Sequence, residues 1–427
     1  MTRFDAVPGR VWVAATVALL LLAPVACAGS STTVGGSRAE GSLATTPADL
    51  LGAKRPASAE PVKVGFVTEG QATTVDTSDE ERAAKATVAF LNDHRGGIGG
   101  RPIDLVTCDM KVDPAVAGDC ANRLIAEGVV AVTLAQSTVT DALWKPLHAA
   151  GIPLIVLSGF SDALLADDQS TFVMVNPAAA LFGLPVAAAK AANATRISFV
   201  VIDVPQATDL LEAKGPPIVK RAGLEYDIVR VPLGTADMTP QMRGVKDSGA
   251  GVVHVLGNDA FCIAAFKGLR DVGYTGSVSA VSQCLTDSTR EALGAGLEGI
   301  GVQATLASGA VDDPTYQLFQ AVMATYGSEV REPAGPYALG GYSAVATLAA
   351  ALETIQGEVT PASVIDTIKH MPETPLPGGG GVTFKCGGSA MPGQPAICTN
   401  QWLRSTLDAN GQSTSYTVED STDLLVG

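Results

Sequence analysis

Basic residues are scarce in this chain. Its 427 residues hold 28 Lys and Arg against 43 Asp and Glu, a net charge of −15. No Lys- or Arg-rich stripe reverses that balance locally, so the surface repels phosphate backbones and nucleic acid is excluded as a partner. Histidine is scarcer still, with four residues, His94, His148, His254 and His370, scattered along the chain. No cysteine pair has the Cys-x-x-Cys spacing of a zinc knuckle, which argues against a metal site. No histidine stands beside a nucleophile and no carboxylate pair stands out, so general acid–base catalysis has no visible apparatus. We expect no enzyme, no catalytic residue, no metal and no cofactor.

Long apolar runs are also missing. The longest, 11–22, falls below the ~20 residues that span a bilayer. It follows Arg3 and Arg10 and precedes Ala23-Pro24-Val25-Ala26-Cys27, the layout of a signal peptide over 1–26. Val25-Ala26-Cys27 resembles the lipobox of bacterial lipoproteins, with Pro24 where Leu is usual. That resemblance implies lipidation at Cys27 and anchoring to the outer face of the cell membrane. Ordinary secretory cleavage near Ala26 or Ala28 is the alternative, and export follows from both. Residues 27–60, rich in Ala, Gly, Ser, Thr and Pro, read as a flexible tether.

What the chain does have is apolar material, 47 % against 17 % charged residues, enough for large interior sheets. At this length a single core is excluded and two lobes are expected. From residue 62, short Val/Ile/Leu-rich runs alternate with Ala-rich stretches of helical period, the pattern of an α/β protein with parallel sheets. Strands are expected at 62–67, 102–107, 129–134 and 153–157, then at 196–202, 225–231, 251–256, 278–282 and 299–303. Helices at 314–326 and 337–355 return to the first lobe, with Asp313 as cap and Pro314 as first helical residue. The last stretch, 382–385 and 397–403, reads as an antiparallel ribbon. Passages at 176–181, 307–311 and 373–380 would form three hinge strands. The expected division is 61–178 with 309–374 for lobe one and 179–308 with 375–427 for lobe two.

Setting Cys27 aside leaves six of the seven cysteines, an even number in an exported chain. Six allow fifteen pairings, but they fall into three couples close in sequence, on what would be adjoining elements. The expected bridges are Cys108–Cys120, Cys262–Cys284 and Cys386–Cys398.

The run from Asn92 through Gly96-Gly97-Ile98-Gly99-Gly100-Arg101-Pro102-Ile103 resembles a segment of type I periplasmic binding proteins. So do Cys108-Asp109, Gly151-Ile152-Pro153, Leu269-Arg270-Asp271-Val272-Gly273-Tyr274 and Gly340-Gly341-Tyr342-Ser343-Ala344. Among these proteins the chain is most similar to the branched-chain amino acid (Leu/Ile/Val)-binding group of ABC importers. The resemblance implies two doubly wound parallel-sheet lobes joined by three strands, a small-molecule ligand held between them, an ABC permease as partner and a monomer. The glycine cluster at 96–100 is no dinucleotide fingerprint, since it follows a helix and precedes a strand. Gly341-Tyr342-Ser343 lacks the final glycine of a hydrolase elbow.

Open parallel sheets bind ligands beyond the carboxyl ends of their strands, where backbone N–H groups collect. In lobe one those ends carry Glu69, Gln136, Ser137, Thr138, Ser158, Gly159 and Phe160; in lobe two, Asp203, Gln206, Asn258, Asp259 and Gln283. Ser137, Thr138 and Ser158 can donate to a carboxylate or amide, and each also suits a helix cap. Asp203, Asp259 or Glu69 can accept from an ammonium group. In the amino-acid-binding relatives an aromatic pair often stands where Asn258 and Asp259 are, and a Glu where Gln283 is. The cargo stays open among amino acids, amides or urea and small aromatic acids. A ligand-sensing module of the same fold is the alternative function.

Overall fold

The computed structural model describes residues 46–426 apart from 73, 74, 160 and 414, without the side chains of 205, 206, 209 and 210. The signal peptide, Cys27, Phe160 and the side chain of Gln206 therefore lie outside the described residues.

The first sheet is built from β1 (Val62–Thr68), β2 (Ile103–Asp109), β3 (Val132–Leu134), β4 (Leu154–Val156) and β5 (Thr171–Val173), in the order β2-β1-β3-β4-β5. All its pairings are parallel. The β-branched residues of β1, β3 and β4 are buried on both faces, as crossover helices require. Between β2 and β3 the helix Pro114–Glu127 starts where Asp113 accepts from the N–H groups of Ala115 and Val116, and ends at Gly128 with φ 72°.

The second sheet takes β6 (Arg196–Ile202), β7 (Glu225–Val231), β8 (Val252–Leu256), β9 (Ser277–Ala280) and β10 (Gly301–Ala304) in parallel, ordered β10-β9-β8-β6-β7. A short hairpin of β11 (Thr374–Pro375) and β12 (Thr383–Phe384) stands apart. At the β10 edge β13 (Gln401–Thr406) and β14 (Thr417–Asp420) add antiparallel, with Gly301 opposite Thr406. The two α/β lobes are thus present as expected.

Several boundaries differ from the sequence reading. The Thr46 side chain forms a capping box with Asp49 at the helix Pro47–Leu51, and Leu51 is buried in the first core with Leu91 and Phe319. The tether expected up to residue 60 is therefore packed structure over its last part, docked by Leu50 and Leu51 and by the Arg55 and Ala57 N–H groups, which donate to the Asp93 and Asn92 carbonyls. Residues 375–398, expected in lobe two, pack on lobe one, because Leu376, Val382, Phe384, Cys386 and Cys398 join that core. The third crossing accordingly lies at Thr399–Asn400 and not at 373–380. The ribbon expected from 382–385 and 397–403 is divided: β12 pairs with β11, while Ile397 bridges to Val173 of β5.

Asn176, on the first crossing, donates its N–H to the Thr399 carbonyl at 3.0 Å and its side-chain amide to Asn400 Oδ1 at 2.8 Å. The middle crossing follows β10, and Ala307 donates to the Gly378 carbonyl at 2.8 Å. All three expected disulfides form.

Helix Pro336–Ala351 packs on helix Ser78–Phe90 through Gly341, where an added Cβ would stand 2.0 Å from the Glu80 carbonyl oxygen. Ser343, in the same helix, is buried and donates to the Pro377 carbonyl at 2.6 Å, so no nucleophile is displayed there. Overpacking of this kind costs ~1–3 kcal/mol. Gly341→Ala is expected to lower the unfolding free energy by about 2 kcal/mol, read as a lower urea midpoint at unchanged slope.

Candidate functional site

Parallel winding puts the loops after β1, β3 and β4 at one edge of the first sheet. There the Glu69 carboxylate accepts from the Ser137 hydroxyl at 3.0 Å and the Thr138 N–H at 3.4 Å, both to Oε1. Three residues predicted from strand-end position are thereby brought together. Gln136 is exposed beside them, while Ser158 is buried, its N–H donating to the Ala135 carbonyl at 3.3 Å. Gly159 is buried as well.

Below this group lies a residue that the sequence reading missed. Glu80, on the first turn of helix Ser78–Phe90, is only 6 % exposed and takes the Thr68 hydroxyl on Oε2 at 2.6 Å. Burial pushes its carboxyl up to about 8, with the negative charge of Glu69 adding to the effect and the Thr68 bond opposing it. Glu80 is therefore mostly a neutral acid at pH 7. Tyr337, on the first turn of helix Pro336–Ala351, completes the corner; its phenol is raised by burial and then by Glu80, Glu69, Asp76 and Glu332. Two cations nearby are engaged: Arg331 is bound to Asp76 at 2.9 Å and lies 3.6 Å from Asp79, and Arg82 is bound to Asp79 at 2.7 Å. Asp76 is held well below the usual carboxylate range by its bonds from Ser78 and then by Arg331.

The run Asp79-Glu80-Glu81 gave no hint of this arrangement, because acids in a first helical turn ordinarily face water and favour the helix dipole. Tyr337 and Arg331 are far away in sequence. The signal that was available is Gly340-Gly341, which marks the close approach that buries Glu80.

On the second lobe the predicted residues are less convergent. Asn258 accepts from the Phe261 N–H at 3.0 Å and caps helix Asp259–Asp271. Asp259 accepts from Ala260 N–H at 2.8 Å and from the Thr286 hydroxyl at 3.3 Å. Gln283 is exposed, accepting from Ser282 at 3.4 Å, and Asp203 is exposed too. His254, in the middle of the second sheet, is fully buried with Nδ1 2.8 Å from the Ser279 hydroxyl; burial pushes it down to about 3, so it stays neutral and structural. A cavity of about 410 Å³ lies away from the strand-end loops, between Asn176, Lys214, Met391 and Leu425. Among the described residues no group of His, Cys, Asp and Glu suits a metal ion, and no helix is long and apolar enough to cross a membrane.

Two wound lobes joined by three crossings, with polar loops at the strand ends, define a two-lobed solute-binding protein. The chain belongs to the periplasmic binding protein family, whose model matches residues 61–396. This is a family of solute-binding proteins that work outside the cytoplasm. No curated protein matches the chain. Among solved structures, the branched-chain amino acid transporter substrate-binding protein LivJ from Streptococcus pneumoniae, in complex with isoleucine, shares the fold at TM-score 0.63 and 18 % identity, over 84 % of this chain and 100 % of that one. A fatty acid ABC transporter substrate-binding protein from Thermomonospora curvata aligns at TM-score 0.63 and 16 % identity, over 86 % and 93 %. A solute-binding protein of an ABC transporter from Rhodopseudomonas palustris, in complex with p-hydroxybenzoic acid, gives TM-score 0.63 and 20 % identity, over 84 % and 97 %.

Glu80 gives the site a pH signature. Its folded pKa lies above the unfolded value of 4.5, so the stabilisation it provides is present below pH 4.5 and is lost as pH rises through about 8. Glu80→Gln, which keeps shape without titrating, should melt with the wild type near pH 4.5. It should become more stable than the wild type toward pH 8, the gap widening at up to about 1.4 kcal/mol per pH unit in thermal or urea melts.

Proposed function

We propose that the protein is an exported, lipid-anchored solute-binding protein that takes a small polar molecule, an amino acid or an amide, between its lobes and delivers it to an ABC importer. The observation that carries this reading is the meeting of Glu69, Ser137 and Thr138 at the carboxyl edge of the first sheet. Three crossings behind that edge give the second lobe's loops, with Asp203, Gln206, Asn258, Asp259 and Gln283, a way to close over the ligand by hinge rotation. Isoleucine and p-hydroxybenzoic acid in the solved relatives support a ligand of that size. Ser158 and Gly159 would line the first lobe's side of it, Gln136 its rim.

A ligand closes the lobes only by favouring the closed form, so contacts on both lobes are required. Anchoring by Cys27 would hold the protein at the membrane beside its permease.

A thermal-shift screen of small metabolites should give a compound that raises the melting temperature, since a ligand bound to the folded state alone stabilises it. X-ray scattering with that compound should show a smaller radius of gyration; a tight ligand without compaction would contradict hinge closure. Cys27→Ala should move the expressed protein from the membrane fraction to the medium, as assayed by fractionation and intact mass.

A further inference from the structure

Two of the donors that the first lobe presents at its strand ends, the Ser137 hydroxyl and the Thr138 N–H, are already taken by a carboxylate of the chain itself. The Ser137 hydroxyl gives its proton to Glu69 and uses a lone pair for the Val139 N–H at 3.1 Å, and the Thr138 N–H also points to Glu69. A ligand carboxylate arriving here would have to expel Glu69 and lie among Glu69, Glu80 and Tyr337, which already sense one another's charge. Among the described residues neither Glu69 nor Glu80 has a Lys or Arg partner, and Arg331 is engaged by Asp76 and Asp79. One acceptor of the Glu69 carboxylate remains open: no hydrogen bond is made to its Oε2 among the described residues.

We infer that Glu69 takes the place of a ligand carboxylate. The cargo, on the capture reading above, therefore turns an N–H donor toward the first lobe, as an amine or carboxamide does. Carboxylate ligands are selected against by occupied donors as well as by like charge. Glu69 is thus a specificity-determining residue.

Isothermal titration of the mature chain with matched twins, 4-methylpentanamide against 4-methylpentanoate and 4-hydroxybenzamide against 4-hydroxybenzoate, tests this. For the wild type, the N–H-bearing twin should bind at least tenfold more tightly. Glu69→Ala frees Ser137 and Thr138 and should move the ratio at least tenfold toward the carboxylate. Glu69→Gln removes the charge but keeps an acceptor on the same donors, so it should move the ratio less than Glu69→Ala does. Thermal melts of both variants confirm folding, and the glutamine variant answers if the alanine variant fails to fold. Tighter carboxylate binding by the wild type, with the ratio unmoved in either variant, overturns the inference and leaves capture standing. No binding by either series, to wild type or variants, counts against capture and removes the inference with it.

Discussion

Two helices can lie backbone to backbone only where a side chain is missing, and here the missing side chain is that of Gly341. Any Cβ at that position would meet the Glu80 carbonyl oxygen at 2.0 Å. This contact holds the late helix Pro336–Ala351 against helix Ser78–Phe90, so the first lobe is assembled from chain segments that lie far apart in sequence. It also removes Glu80 from water, and a carboxyl in that position keeps its proton unless a cation comes near. Tyr337, one turn earlier on the late helix, is carried to the same corner. The chemistry of the strand-end site thus follows from a packing requirement two layers away from it.

The second constraint lies behind the cleft. Asn176 and Asn400 are almost fully buried, at 1 % and 3 % exposure, and meet side chain to side chain. Asn176 also accepts from the Ala178 N–H at 3.0 Å, starting the helix that enters the second lobe. Asn400 donates to the Ala390 carbonyl on the first lobe at 2.7 Å and to the Thr422 hydroxyl on the second at 3.3 Å. Stranding a buried amide without partners costs ~1–3 kcal/mol. Under the hinge closure proposed above, rotation of the lobes would have to preserve this node and bend the chain around it, with the Asn pair as its fixed point.

Much of this was legible in the sequence, and the reasons are physical. β6 is legible to its ends because 197–202 is a nearly continuous buried apolar run, and β7, mostly half-buried, because Tyr226, Ile228, Val229 and Val231 favour an extended strand. β5 was missed: Thr171–Val173 is too short for any period to register. The third crossing is expected at 373–380, whereas the chain crosses at Thr399–Asn400, where buried side-chain bonds set the path. Ser137 and Thr138 stand out in the sequence as donors at a strand end. Their acceptor in the folded chain is Glu69, sixty-eight residues away, and no local pattern encodes that meeting. Cys108–Cys120 and its two counterparts were readable because each pair closes a short loop.

One corner of the first lobe handles its carboxylates in three different ways, and the difference bears on selectivity. Asp76 and Asp79 share a guanidinium, that of Arg331. Glu69 is held by neutral donors, Ser137 and the Thr138 N–H. Glu80 is balanced by a proton. Only the first of these cancels charge with charge, so the corner keeps a negative potential that adds to the chain's overall −15 and is not offset by it. A ligand bearing its own negative charge would meet that potential. A donor would find Glu69 Oε2 open in a partly dehydrated place, where a hydrogen bond counts for more than it does in water. The polarity of the site is therefore set by which partners the fold has already assigned to each carboxylate, more than by the number of polar residues lining it.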